Sequence, residues 1–194
     1  MPNVYYYDFS GDNHRLSELE PFLGKGRSTY CRNMKCSAAA LRSAYAFMLL
    51  RYALKKEYGI REIPEFVLNE YGKPFLADHK DIFFNFSHSG KQVICAVDNS
   101  PIGIDIQDIR HLSLKVGEKF LSESEKKRIS GIKDETMLDR ELSRIWCIKE
   151  SYGKMTGKGF GEGFRSFDTY DLMKSGQAFL TEKNGAFISI CLSR

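Results

Sequence analysis

Hydrophobic and polar positions along the chain follow two periods, one typical of helices and one typical of strands. Residues Ser37 to Tyr58 are rich in alanine and leucine, and Gly59 follows them, which predicts a long helix with a defined end. A second long helix is predicted from about Asp134 to Thr156, again followed by glycines. Shorter helices are predicted over residues 114–120 and after the capping-box pattern of residues 122–125.

Apolar residues at every second position predict the strands. The clearest case is the segment 102–106, where three isoleucines alternate with Gly103 and Asp105, and Gln107 continues the polar side. The other predicted strands are residues 4–9, 66–68, 82–87, 92–97, 164–172, 177–181 and 186–192. An Asn-Gly pair in residues 183–186 predicts a hairpin turn between the last two.

The order of these elements predicts an α+β fold built from two similar halves. Each half has a helical part followed by strands, and residues 98–101 form a turn between the halves. We therefore divide the chain into residues 1–98 and residues 99–194. This division depends on element order alone, because no repeat of individual residues is visible.

Composition narrows the class of protein only slightly. The chain has 194 residues, 42% hydrophobic and 28% charged, as is ordinary for a globular protein. The net charge of +4 suits nucleic acid, a phosphate-bearing cofactor or an acidic protein partner, but no dense basic tract supports nucleic acid. Without a membrane-length apolar run or a signal peptide, we expect a cytoplasmic protein. Five cysteines without C-x-x-C spacing are expected to be free thiols, mostly buried, rather than zinc ligands.

Three charged residues are candidates for chemistry. Glu150 and Lys154 lie one helical turn apart in an apolar region that includes Trp146, and Asp105 lies on the isoleucine-rich strand. An exposed ion pair and a surface acid are the ordinary alternatives. If Asp105 and Glu150 meet in space, they form a site of hard oxygen ligands that suits Mg²⁺.

The segment "FNFSHSG" places Ser87 beside His88, but adjacent strand residues point to opposite faces, which argues against a Ser–His nucleophile pair. His88 is either a phosphate contact or a structural histidine. "GKP", residues 72–74, is by itself a turn with a surface lysine. The glycine-rich segment 156–164 lacks the spacing of a P-loop and is interpreted as a helix end and a flexible loop.

In order and spacing, these motifs resemble those of the Sfp-type 4′-phosphopantetheinyl transferases, from about Arg27 to Asp168. The most specific part is "GID" at residues 103–105, followed some forty residues later by W-x-x-K-E-S-x-x-K at residues 146–154. The resemblance implies a pseudo-dimer of two α+β halves. It also implies an enzyme that transfers the phosphopantetheine arm of coenzyme A to a serine of an apo carrier protein. Coenzyme A and Mg²⁺, or Mn²⁺ in its place, would bind between the halves.

The resemblance also implies roles for individual residues. Asp105 and Glu150 match the metal-binding acids, and Lys154 matches the lysine beside the pyrophosphate. Glu150 is the first choice for the general base. Contacts to coenzyme A are implied for Arg27, Arg42, Lys73, Pro74, Ser87 and His88.

Two positions leave alternatives open. Gln107 stands where many family members have a glutamate, and we expect it to contribute an amide oxygen or to hold a metal-bound water. Asp108 is a poor substitute, because the strand period turns it to the opposite face from Asp105. Glu125 matches a family acid, but N3 of a capping box is an equally good interpretation.

The expected partner is an acidic, helical acyl or peptidyl carrier protein. Residues 114–121 and the basic run 126–128 are candidates for its docking surface, and a solvated helix face is the alternative. We expect a monomer, with no nucleic acid or membrane partner. The second hypothesis is a CoA- or nucleotide-binding module without catalysis, suggested by the missing acid at Gln107.

Overall fold

A computed structural model describes residues 2–159 and 162–193. Phe160 and Gly161, in the glycine-rich segment, lie outside the described residues. Helices α1–α7 are Leu16–Leu19, Gly24–Arg32, Ser37–Tyr58, Leu114–Gly117, Glu123–Ile129, Glu135–Thr156 and Thr169–Lys174, and 3₁₀ helices span Glu20–Phe22 and Glu162–Arg165. Strands β1–β8 are Asn3–Asp8, Phe66–Leu68, Pro74–Leu76, Phe83–Ser89, Gln92–Asp98, Ile102–Asp108, Ala178–Lys183 and Ala186–Leu192.

The strand order shows the same arrangement in both halves. One sheet has the order β1-β5-β4 and the other has the order β6-β8-β7, and all their pairings are antiparallel. In each sheet the first strand of the half pairs with the last, and the final two strands form a hairpin. A helix of 22 residues, α3 or α6, precedes each hairpin. This is the predicted α+β pseudo-dimer, and β2 and β3 form an additional two-stranded sheet in the first half.

The two long helices begin and end where the sequence predicts. α6 begins after Asp134, whose carboxylate accepts a hydrogen bond of 2.8 Å from the backbone N–H of Met137. α3 ends at Gly59 and α6 ends at Gly157, and these glycines have φ values of +72° and +73°. That left-handed backbone is costly for other residues, which explains why both helices stop there.

The predicted strand over residues 164–172 is wrong. The structure has a 3₁₀ helix at Glu162–Arg165 and helix α7 in its place. Asp168 begins α7 by accepting a hydrogen bond of 2.8 Å from the N–H of Tyr170. The aromatic residues Phe164 and Phe167 of this segment pack in the hydrophobic core, in the cluster around Phe120. The helix predicted over residues 114–120 is shorter, and the turn predicted at residues 72–74 leads directly into β3.

Strand β6 is covered on both faces, although its alternating pattern predicted one solvated face. Its isoleucines pack against Ile94 and Ala96 of the first half. On its other face, a Cβ built on Gly103 would lie 1.9 Å from the backbone oxygen of Ser151 in α6. Only a glycine permits this close approach, and it brings the polar face of β6 directly under α6.

Two further expectations concern membranes and cysteines. Across residues 2–159 and 162–193, the structure contains no helix with the length and apolarity that a membrane span requires. All five cysteines are free, and four of them are buried, as predicted, whereas Cys36 is exposed.

Candidate active site

Alternate residues of β4 hold the two halves together. Asn85 accepts a hydrogen bond of 3.2 Å from the N–H of Ile104, and Ser89 accepts one of 3.1 Å from the N–H of Asp108. Between them, Ser87 donates to the carboxylate of Asp105 at 2.7 Å. These three β4 side chains, which we call the polar seam, cover the edge of β6.

A lysine from α6 completes the arrangement at the centre of the seam. Lys154 Nζ lies 2.6 Å from Asp105 Oδ1 and 2.9 Å from Ser87 Oγ. Asp105 is 5% exposed, and it belongs to the β6 face that α6 covers. The side chain of Lys154 remains 27% exposed and therefore accessible from the cleft between the halves. The structure thus brings together three residues that the sequence separates by 67 positions.

Glu150 lies one turn before Lys154 on the same face of α6. Burial raises the pKa of the Glu150 carboxyl above its ordinary value, the nearby Lys154 charge opposes this, and the Asp105 charge adds to it. The Asp105 charge is therefore one of the two charges that act on the Glu150 carboxyl. A half-buried carboxylate with a raised pKa beside a second acid is suited to accepting a proton or holding a cation.

A large cavity of about 840 Å³ lies on the other face of β4. His88 lines it, pointing away from Ser87 as the strand period requires. Burial lowers the pKa of His88, and the positive charges of Arg42 and Lys154 lower it further. Arg27 also lines the cavity, where its guanidinium lies 4.8 Å from the ring centroid of Tyr30. This cavity, with its cationic groups, is large enough for a nucleotide-sized ligand.

The segment predicted as a turn with a surface lysine lies between this cavity and α6. Pro74 lines the cavity. The Lys73 side chain instead donates hydrogen bonds to the backbone oxygens of Lys154, at 2.6 Å, and Met155, at 3.1 Å. Lys73 is therefore not a free surface cation in this structure, which corrects the ordinary interpretation of "GKP".

Comparisons with known proteins identify relatives of the chain. A model of the 4′-phosphopantetheinyl transferase superfamily matches residues 101–194. The chain is 34% identical over 147 residues to 4′-phosphopantetheinyl transferase Sfp of Bacillus subtilis, covering 75% of this chain and 65% of that protein. It is 31% identical over 167 residues to psf-1 of Bacillus pumilus, covering 86% and 71%, and 32% identical over 164 residues to ffp of Bacillus subtilis, covering 84% and 72%.

The chain belongs to the 4′-phosphopantetheinyl transferase superfamily. The alignments with two Bacillus subtilis members of the superfamily span 65% and 61% of those proteins' own lengths, which is less than two thirds.

In this superfamily member, the candidate metal ligands are Asp105, Glu150 and Gln107. Gln107 is 7% exposed and lies two residues beyond Asp105 on β6, and its amide Nε2 donates to the backbone oxygen of Asp108 at 3.0 Å. Within the described ranges, no three His, Cys, Asp or Glu side chains gather as a metal site. Two carboxylates and an amide oxygen nevertheless fit Mg²⁺, which is commonly held by one or two carboxylates together with substrate phosphates and water.

Glu125 is not part of this cleft. It is fully buried, and its carboxylate accepts hydrogen bonds from Ser122 N–H at 2.8 Å and Thr169 N–H at 2.9 Å. Lys149 Nζ lies 2.9 Å from the same carboxylate. The capping-box interpretation of Glu125 is confirmed.

Sequence reasoning missed several residues of the superfamily site. Asn85 and Ser89 were not singled out, although in "FNFSHSG" polar residues occupy every second position from 85 to 89. That period indicates a strand with one polar face, and the structure shows that this face contacts the other half. Lys149 lies inside the recognised motif, but its partner Glu125 is 24 positions earlier, and no spacing rule connects them.

Proposed function

We propose that the chain transfers the 4′-phosphopantetheine arm of coenzyme A to a serine of an apo carrier protein and releases adenosine 3′,5′-bisphosphate. The observation that carries this proposal is the contact of Lys154 with Asp105 and Ser87 at the cleft, with Glu150 one turn away. Family membership supports it, because the relatives are named as 4′-phosphopantetheinyl transferases.

The residues in the cleft match the charge changes of this reaction. Cleavage of the pyrophosphate leaves negative charge on the departing phosphate, and Lys154 is placed to stabilise that charge. Asp105 orients the Lys154 ammonium through their contact of 2.6 Å. Glu150, directly or through a neighbouring water, accepts the proton of the carrier serine, a task for which its raised pKa is favourable.

A divalent cation completes this proposal. Asp105 and Glu150 would hold Mg²⁺, or Mn²⁺, with Gln107 contributing its amide oxygen or a water. A cation bound there would supply positive charge that stabilises the negative charge of the coenzyme A phosphates. Because the site has only two acids, we expect the phosphates themselves to provide part of its coordination.

The cavity of about 840 Å³ is the proposed site for the nucleotide part of coenzyme A. Arg27 and His88 line it, and Arg42 lies near enough to His88 to affect its pKa. These groups suit an anionic ligand such as the 3′-phosphate. Gly72 and Pro74 form part of the same wall.

The carrier protein is expected to approach near helices α4 and α5. Leu114 is 53% exposed and Val116 is 41% exposed, and the basic run 126–128 follows them. Lys126 and Arg128 already form ion pairs within the chain, so Lys127 is the cation most available to an acidic partner. That the protein is a cytoplasmic monomer remains an expectation from the sequence.

The test is incubation with coenzyme A, Mg²⁺ and a panel of apo fatty-acid, polyketide and nonribosomal-peptide carriers, followed by intact-mass measurement. We expect at least one carrier to gain the mass of phosphopantetheine, and a carrier with its serine replaced by alanine to gain nothing. If no carrier is modified while coenzyme A binds, the chain is a binding module without catalysis. The substitution of glutamine for the usual acid at Gln107 is the observation that favours this second function.

A further inference from the structure

The C-terminal turn of α6 is held by residues of the other half. The last carbonyl groups of a helix have no hydrogen-bond donor within the helix, and a nearby ammonium group can donate hydrogen bonds to them. Lys73 Nζ donates to the backbone oxygens of Lys154, at 2.6 Å, and Met155, at 3.1 Å. A second donor, Asn69 Nδ2, reaches the oxygen of Gly157 at 3.1 Å. These three carbonyls lie within four residues, at the C-terminal end of α6.

Asn69 also builds the turn that presents Lys73. Its Oδ1 accepts hydrogen bonds from the N–H groups of Tyr71, at 3.0 Å, and Lys73, at 2.8 Å. Gly72 closes the same turn with a φ of +82°, and its N–H donates to the oxygen of Asn69 at 3.0 Å. The turn between β2 and β3 is therefore fixed by one side chain, which also contacts α6.

Gly157 shows that the two segments fit closely. A Cβ built on Gly157 would lie 3.1 Å from Asn69 Nδ2 and 3.1 Å from Lys73 Cδ. Burial lowers the pKa of the Lys73 ammonium to about 8, so the group remains mainly charged at pH 7. A positive charge at this end of the helix also complements the helix dipole.

We infer that Lys73, together with Asn69, is a positioning residue that clips the end of α6 to the β2–β3 turn and so holds Lys154 in place. The residue whose carbonyl accepts the shorter bond from Lys73 is Lys154 itself, whose side chain contacts Asp105 and Ser87. The clip also joins the wall of the large cavity, through Gly72 and Pro74, to the helix that carries Glu150. This inference rests on the proposed function only for its kinetic consequence.

The competing role for Lys73 is direct contact with the 3′-phosphate of coenzyme A, as the family resemblance implies. The two roles differ in what Lys73→Met changes at pH 7. Loss of the clip should lower kcat by about tenfold or more, because small displacements of a catalytic group are costly, and should change KM for coenzyme A by less than about twofold. The same loss of kcat is expected with 3′-dephospho-coenzyme A as the donor, and Lys73→Arg should restore part of it.

Two further variants separate the clip from loss of charge or folding. Asn69→Asp keeps the acceptor that builds the turn but removes the donor to Gly157, so kcat should fall here too. Lys80→Met removes an exposed lysine of the same half and should leave both kcat and KM unchanged. Amide hydrogen exchange of residues 154–158 is a second measurement, which does not require catalysis. It should become faster in Lys73→Met and Asn69→Asp but not in Lys80→Met.

The outcomes are distinct. A rise in KM for coenzyme A that disappears with the dephospho donor would show a phosphate-binding lysine and overturn the clip, as would unchanged hydrogen exchange at residues 154–158. If Lys73→Met does not fold, Asn69→Asp decides by the same two measurements. If the wild-type chain modifies no carrier, the proposed function fails, whereas hydrogen exchange still decides whether the clip exists.

Discussion

Helix α6 carries two lysine–carboxylate pairs five residues apart, and they differ in almost every physical respect. Lys149 and Glu125 are both fully buried. The Lys149 ammonium also donates to the oxygens of Phe164 and Phe167. Lys154 and Asp105 lie at the cleft, where the lysine side chain is 27% exposed and the acid is buried. One pair faces the protein interior and the other faces the space between the halves.

The difference shows which pair is structural. The carboxylate of Glu125 is surrounded by donors from α5, α6 and the start of α7, so it has little capacity for another ligand. It ties three segments of the second half together. Lys154, in contrast, contacts Ser87 from the first half and has a second acid, Glu150, one turn away. A site for chemistry needs groups that a substrate can reach, and only the second pair offers them.

The strongest test of this distinction is removal of the acids in the cleft. Asp105→Ala and Glu150→Ala should each lower the rate of carrier modification by about a thousandfold or more, because each removes part of the charge arrangement around the phosphates. Both variants should keep the fold, as measured by circular dichroism. Near-normal turnover in either variant would show that its carboxylate neither holds the cation nor accepts the proton.

The buried pair should respond in the opposite way. Glu125→Gln leaves the Lys149 charge buried without a counter-charge, so we expect the free energy of unfolding to fall by about 3–5 kcal/mol. Urea denaturation measures this change. Glu123→Gln alters an exposed acid in the same helix and should leave stability nearly unchanged. A stable but inactive Glu125→Gln protein would place Glu125 in catalysis and break the distinction between the pairs.

Local rules predicted the elements well but could not predict this contrast. The limits of α3 and α6 follow from a glycine at each C-terminus and from Asp134 at one N-terminus, which act on a few neighbouring residues. The strand predicted over residues 164–172 failed because an N-cap at Asp168 outweighed the aromatic composition. The seam from Asn85 to Ser89 has a visible period, but nothing in the local sequence shows that β6 is the strand it contacts.

The site residues were found by motif resemblance rather than by pattern. Asp105 lies on a strand whose alternating pattern is typical of one exposed face. The close approach of α6 over Gly103 buries the polar face of this strand. Likewise, nothing in the local sequence shows that Lys73 reaches the carbonyls of residues 81 and 82 positions away. Contacts of this kind depend on how the two halves pack, and that information is not local.

A smaller effect on stability should also separate Glu150 from Glu125. Because burial raises the pKa of Glu150 above 4.5, this carboxyl keeps its proton to a higher pH in the folded state than in the unfolded state. The wild type therefore loses stability from this group as pH rises, and the cost persists at pH 7. Glu150→Gln should be at least as stable as the wild type at pH 7 in the absence of Mg²⁺, although it is inactive.

Urea denaturation at pH 4.5 and pH 7 tests this sign. The advantage of Glu150→Gln should shrink at the lower pH, where the wild-type carboxyl is increasingly protonated in both states. A Glu150→Gln protein that is less stable than the wild type at pH 7 would show that the attraction to Lys154 exceeds the cost of burial. In that case Glu150 would resemble Glu125 as a structural acid.

The smallest expected effect concerns Gln107, the position where the cleft has an amide in place of a third acid. Gln107→Glu adds a carboxylate on the face of β6 that carries Asp105, so it should lower the Mg²⁺ concentration for half-maximal rate by a few-fold. Without Mg²⁺, the added buried charge should lower the free energy of unfolding, and Mg²⁺ should restore it. Gln107→Met, which adds no charge, serves as the control. If Gln107→Glu changes neither the Mg²⁺ dependence nor the Mg²⁺-linked stability, the position lies outside the cation site, and the cleft works with two acids alone.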